Sequence, residues 1–189
     1  KHHLVQTHLA EGMAELLDKV VWIRNLTGRP VGVKTAVGGW RFMNELGEAA
    51  NRRGLEFAPD FLVIDGGEGG SGAAPQALAD HMGLSIDEAL PRVVDALIES
   101  GLRGRVRVIA SGKIITSARA AWALCVGADF VNTARGFMFS LGCIQALRCH
   151  QNTCPTGVTT HNRRLQRALV VEEKYLRVAN YCNGMNREI

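Results

Sequence analysis

The chain has 189 residues, with 22 Lys and Arg against 18 Asp and Glu, a formal net charge of +4, 47% hydrophobic residues and 21% charged ones. That composition is globular and excludes a disordered, collagen-like or coiled-coil chain. No apolar run reaches the ~20 residues a membrane helix needs; the uncharged, largely apolar stretch 136–147 is interrupted by Ser140, Gly142 and Gln145.

The size fits one domain. Residue 1 is Lys, and no secretory leader opens the chain, so a cytoplasmic protein is expected. The 21 glycines against 6% aromatics point to ligand loops and tight turns. The basic balance is modest and comes with no nucleic-acid motif.

In chain order, helical and strand patterns alternate. Residues 10–25 place Met13, Leu16, Leu17, Val20, Val21 and Ile23 on one helical face. A turn at 27–30 leads to VGVKTAV (31–37), a short buried strand stopped by Gly38 and Gly39. A helix over 40–53 ends at Gly54, DFLVIDG (60–66) is a strand, and 66–75 is a glycine-rich loop. Ser85 with Glu88 forms a capping-box pattern that opens a helix to about Ser100, ended by Gly101. RVRVIAS (105–111) is the third strand, Gly112 the turn, and 117–126 a helix closed by Gly127. DFVNTARG (129–136) is the fourth strand. An apolar helix from near Phe137 runs into the cysteines, and the tail from Thr159 to Tyr181 is polar and helical.

Near-continuous apolar strands alternating with helices predict an α/β fold with a parallel sheet covered on both faces. A closed (β/α)₈ barrel takes about 250 residues and eight units. This chain supplies four, so it is either half a barrel or a small open sheet. The expected division is a partial barrel over 1–158 and a helical tail over 159–189.

Five cysteines, at 125, 143, 149, 154 and 182, argue against a disulfide scaffold. Cys143, Cys149 and Cys154 stand as C-x5-C-x4-C, followed by Pro155. Three converging thiolates suit an iron–sulfur cluster or a zinc site, and three ligands favour a three-iron cluster. His150 as a fourth ligand would point to zinc instead. Cys125, in AAWALCVGA, and Cys182 read as plain packing residues.

The loop containing Gly66, Gly67, Gly69, Gly70 and Gly72 follows a strand but lacks the G-x-G-x-x-G spacing. Asp65 and Glu68 place two carboxylates at that strand's carboxyl end, where α/β folds put their sites. The third strand ends in Ser111-Gly112-Lys113 and the fourth in Asn132-Thr133-Ala134-Arg135-Gly136. Such paired turns can bind a phosphate with backbone N–H groups, and Lys113 and Arg135 add charge. Lys34 lies inside an apolar strand, which is costly unless the lysine is paired or functional. Pointing inward, it would meet an anionic ligand atom.

The ordered segments PVGVK, DGGEGGSGAAP, VIASGKI, GADFVNTARGFMFSLGC and CHQNTCPTGVTTHN resemble the C-terminal half of the FMN-binding domain of the glutamate synthase family. The resemblance runs over about residues 30–167 and is nearest to the stand-alone FMN-binding members. It implies the second half of a (β/α)₈ barrel, whose N-terminal half is not in this chain. FMN and a [3Fe–4S] cluster are the implied cofactors, with Cys143, Cys149 and Cys154 as cluster ligands. Lys34 would sit near the flavin N1/O2 edge, and Lys34 and Glu68 are the implied catalytic residues. Ser111, Gly112 and Lys113 would form one phosphate loop and Ala134 and Arg135 the other. Gly69, Gly70, Ser71 and Gly72 would line the flavin and substrate.

The implied reaction is reductive amination of 2-oxoglutarate to L-glutamate through 2-iminoglutarate. A ferredoxin-like electron donor would dock on Arg163, Arg164 and Arg167. The chain departs from the large glutamate synthases at Ser111-Gly112-Lys113, where they favour D-G-G, and at Gly67–Gly70, where they favour H-D-G-G. The alternatives are a glutamate N-methyltransferase-type subunit on the same domain, an enzyme of the inosine-monophosphate-dehydrogenase type, or an inactive barrel fragment. The cysteines follow the last strand, which disfavours the dehydrogenase type.

Overall fold

The computed structural model describes residues 12–69, 74 and 81–189. Gly70, Ser71 and Gly72 lie outside those residues. Helix α1 (Met13–Thr27) leads to β1 (Gly32–Ala36), and α2 (Arg41–Arg53) and a short 3₁₀ turn lead to β2 (Phe61–Asp65). Then come α3 (Ile86–Glu99), β3 (Arg107–Ser111), α4 (Ser117–Val126), β4 (Phe130–Val131) and α5 (Arg135–Ser140). Helices α6 (Arg163–Gln166) and α7 (Val171–Glu188) complete the chain. None of the helices among the described residues is long and apolar enough to cross a membrane.

The four strands are all parallel, in the order β1-β2-β3-β4. Register puts Val33, Leu62 and Val108 in one row and Thr35, Ile64 and Ala110 in a second row on the same face. Leu62, Ile64, Val108 and Ala110 are fully buried there, against Leu46 and Ala50 of α2 and Leu90, Val93 and Leu97 of α3. Ala120 and Ala123 of α4 extend the same core.

The opposite face carries Lys34, Val63, Ile109 and Phe130 in one row. Phe130 is 59% exposed. So the helices cover one face, where the apolar strands predict two. The reason is handedness. Each crossover to the next parallel strand is right-handed, and when every strand lies beside its predecessor all the helices fall on the same side. A doubly wound sheet reverses its strand order to cover both faces; a barrel wall does not. The consecutive order therefore makes this an arc of barrel wall, with its open face toward the barrel interior.

Three other expectations are corrected. The fourth strand is predicted over 129–136, but pairing stops at Val131 after one more bond, from the Asn132 N–H to the Ala110 carbonyl. Among the described residues no fifth strand lies beside it to extend the ladder. The apolar helix expected from Phe137 begins at Arg135 and ends at Ser140, so Cys143 and its neighbours lie in irregular chain. Cys125, expected in packing, is exposed on α4.

The amino-terminal ends of the strands are stapled by two aspartates. Asp60 accepts from the Val31 N–H at 2.7 Å, from Arg24 Nε at 2.8 Å and from Arg105 at 2.6 Å. Asp129 accepts from the Val108 N–H at 2.7 Å and pairs with Arg103 at 2.9 Å and Arg107 at 3.1 Å. Burial alone would raise both carboxyl pKa values. The amide and guanidinium donors outweigh it and hold both below the ordinary carboxylate range.

Candidate functional site

The groups of interest collect at the carboxyl ends of the strands. Lys34 Nζ is 2.8 Å from Asp65 Oδ2, with the lysine side chain 48% exposed and the aspartate 15%. Lys34 is opposite Val63 in the register, and Asp65 is opposite Ala36. Alternate residues share a sheet face, so Lys34 and Asp65 meet diagonally across one strand pair. That ion pair answers the cost of a lysine inside an apolar strand. It also leaves half of the ammonium accessible beside a carboxylate that is mostly shielded.

Glu68 is placed differently from a substrate acid. Its two carboxylate oxygens accept from the Ile86 N–H at 3.0 and 3.1 Å, at the first residue of α3. A carboxylate at a helix N-terminus satisfies an orphan donor and meets the positive end of the dipole. The predicted Ser85–Glu88 capping box does not form. Ser85 makes no side-chain cap, and its hydroxyl reaches Glu88 only at 3.4 Å. Glu68 caps α3 from the glycine loop instead.

That loop is threaded close to the turn after β3. The Gly66 N–H donates to the Ser111 carbonyl at 2.9 Å, the Gly67 N–H to Leu84 at 2.7 Å and the Gly69 N–H to Gly66 at 2.8 Å. Gly112 has φ +127°, and a Cβ there would lie 2.9 Å from the Gly66 nitrogen. Only glycine meets both demands without strain. Lys113, next in the chain, has φ 46°, a conformation uncommon for a residue with a side chain. Ala134 is the N-cap residue of α5 and Arg135 its first residue, so the second predicted phosphate turn lies at the carboxyl end of β4.

The cysteines follow α5. The Cys143 sulfur accepts from the Gln145 N–H at 3.4 Å, and the Cys154 sulfur is 3.4 Å from the Thr156 hydroxyl. Between them Gln145, Leu147 and Asn152 all take positive φ. Burial would raise the Cys154 pKa, but hydrogen bonds from the Thr156 and Thr159 hydroxyls and N–H groups bring it down to about 6. The Thr159 hydroxyl is buried and has no oxygen or nitrogen partner; the Cys154 sulfur is the group that can satisfy it. Yet no three His, Cys, Asp or Glu side chains among the described residues are grouped to hold a metal. Cys143, Cys149 and Cys154 share the irregular chain after α5, and no three-ligand site is brought together there among the described residues.

One residue with no motif to announce it is Tyr181 of α7. Its hydroxyl lies 2.7 Å from the Ile115 carbonyl and 3.1 Å from the Thr133 hydroxyl, between the two strand-end turns. The sequence shows it only as one aromatic in a polar helical tail.

A parallel array with helices on one face and its functional groups at the carboxyl strand ends belongs to the α/β barrel class. A family model described as a conserved region in glutamate synthase matches residues 6–189, and the chain belongs to that family. It is 50% identical over 167 residues to the glutamate synthase large subunit-like protein YerD of Bacillus subtilis, covering 88% of this chain and 31% of that protein. It is 40% identical over 130 residues to the archaeal glutamate synthase (NADPH) of Methanocaldococcus jannaschii, covering 69% of this chain and 26% of that one. The chain thus spans less than a third of the length of these relatives. A solved mutant flavocytochrome b2 with pyruvate bound is similar at 18% identity and a TM-score of 0.43, over 89% of this chain and 34% of that one. A likeness that slight bears on neither fold nor ligand.

Proposed function

We propose that this chain is the carboxyl-terminal part of an FMN-dependent, glutamate synthase-type oxidoreductase that aminates 2-oxoglutarate to L-glutamate through 2-iminoglutarate. The observation that carries the reading is the close approach of two strand-end loops, Gly66 against Gly112, with the Ala134-Arg135 turn at the carboxyl end of the next strand. Backbone N–H groups at such turns suit a phosphate. Family membership supplies the reaction class.

Ser111, Gly112, Lys113, Ala134 and Arg135 would hold the flavin phosphate. Bound FMN supplies hydride transfer at N5. Lys34 lies on the open face of the sheet, where its cation would stabilise negative charge on a bound flavin. Asp65 orients that cation through the 2.8 Å pair. Glu68 anchors the glycine loop to α3, which keeps Gly69 at the mouth.

No electron step is routed through the cysteine loop; Cys143, Cys149 and Cys154 are the residues that would hold an iron–sulfur cluster. Arg163 and Arg164 on α6 and Arg167 just beyond it are exposed, and we assign them to docking an acidic electron-donor protein of the ferredoxin kind. The open sheet face requires the rest of the barrel as its partner.

The test uses the full-length protein. Stripped of flavin and titrated with FMN, it is expected to bind one equivalent. With a reductant and ammonia it should then consume 2-oxoglutarate and produce L-glutamate. Absence of FMN binding, or flavin binding without glutamate formation, would refute the corresponding part of the reading.

A further inference from the structure

The C-terminal helix reaches the two predicted phosphate turns through the Tyr181 side chain. The Ile115 carbonyl can only accept, so the Tyr181 hydroxyl donates its one proton there, at 2.7 Å. The 3.1 Å contact with Thr133 must then have the Thr133 hydroxyl donating to the tyrosine oxygen. Tyr181 also packs edge-on against Phe137, with ring centroids 5.6 Å apart and planes at 75°. A Cβ on Gly136 would collide with the Tyr181 hydroxyl. So the tyrosine crosses closely over the first turn of α5, and glycine at 136 is what admits it.

The consequence is a fixed separation between two loops. Ile115 lies in the segment after β3 and Thr133 in the segment after β4. Anion binding by backbone N–H groups on both segments depends steeply on distance and angle. A tie at the base of both segments holds that spacing before any ligand arrives, which removes an ordering cost from binding. We infer that Tyr181 is a positioning residue that sets the spacing of the 111–116 and 132–136 segments for a ligand phosphate. The inference rests on the flavin-phosphate reading above. Tyr181 acts through the loops and does not itself touch the ligand.

Helix α7 has other attachments. Ser117 hydrogen-bonds the Glu188 carboxylate, and Met185 packs on the core. Tyr181→Phe therefore keeps the helix docked and the ring packed while removing only the tie. The experiment titrates flavin-stripped full-length protein with FMN and with riboflavin, which has the same ring system and no phosphate. Loss of this hydrogen-bonded tie should weaken FMN by about tenfold and riboflavin by less than about twofold. Gly136→Ala, which displaces the hydroxyl from the other side, should give the same selective loss. An unchanged ratio of FMN to riboflavin affinity in both variants would overturn the inference, whether both ligands weaken or neither does. A wild-type protein that binds no FMN sinks the flavin reading and this inference with it. Wild-type FMN binding with an unchanged ratio in the variants sinks this inference alone.

Discussion

Replacing Lys34 by Met separates a structural lysine from a functional one, because the two roles leave different magnitudes. Methionine keeps the unbranched stem, so the apolar contacts within β1 survive. What is lost is the 2.8 Å ion pair with Asp65. Lys34 is 48% exposed, so water screens that pair and its own worth is about 0–1 kcal/mol. Asp65 is only 15% exposed, and leaving a partly buried carboxylate without its cation adds roughly 1 kcal/mol. The two together, about 1–2 kcal/mol, predict a fall in melting temperature of about 2–8 °C for a domain of this size. Catalysis is expected to suffer far more. Removing a preorganised group from a site of developing charge costs about 10²–10³ in turnover, or ~3–4 kcal/mol.

The assay is therefore paired: thermal unfolding of the full-length holoprotein, and reduction of its flavin followed at the flavin absorbance. Asp65→Asn should lower turnover less than Lys34→Met. The double variant should resemble Lys34→Met alone, since the aspartate acts only through the lysine. Wild-type flavin reduction in Lys34→Met would refute the functional assignment. A stability loss as large as the catalytic loss would refute the argument from exposure.

The remaining expectations concern other parts of the molecule. Cys154, with its thiol near pKa 6, should be alkylated by iodoacetamide with a rate that rises through about pH 6, well below the range of an ordinary cysteine; Thr156→Val should move that midpoint upward, and a midpoint above 8 in the parent protein would contradict the hydrogen-bond account. The carboxyl groups of Asp60 and Asp129 titrate below their unfolded values, so their stabilisation is present above the unfolded pKa of about 4 and is lost as pH falls through the lower folded values. Asp60→Asn with Asp129→Asn should therefore lower the urea midpoint at neutral pH and flatten its fall below about pH 4, and an equally steep acid limb would exclude these groups as its cause. Glu68→Gln should speed hydrogen exchange of the Ile86 amide severalfold, whereas Ser85→Ala should leave it unchanged; the reverse order would restore the serine cap.

Much of this architecture was legible because glycine marks the helix ends. Gly54 and Gly127 close α2 and α4 where the sequence predicts, both at positive φ. The failures have a common physical cause: they depend on what lies alongside. The fourth strand is cut short because pairing needs a neighbour. Covering on one face follows from strand order, which composition along a strand does not encode. Ser85 and Glu88 have the spacing of a capping box, but Glu68, 18 residues upstream of Ile86, took the helix N-terminus. Lys34 was conspicuous as a charge in an apolar strand, yet its partner is set by register with β2. Tyr181 was invisible, since the Thr133 hydroxyl it meets is 48 positions away and no periodicity connects them.

The aspartate staples divide the labour of this wall. Asp60 joins the entry of β1 to that of β2 and, through Arg105, to the entry of β3, while Asp129 fastens β3 to β4. All of these bonds lie at the amino-terminal rim, opposite the end that carries Lys34, Gly112 and the cysteine loop. The rim keeps the strands in register without help from the mouth. Loops at the mouth can then be lengthened, shortened or exchanged without undoing the strand register, and Ser111-Gly112-Lys113 and Gly67–Gly69 fall in that permissive zone. A designer grafting a new ligand loop onto this scaffold should leave the two aspartates and their arginines alone and cut between a strand's carboxyl end and its following helix.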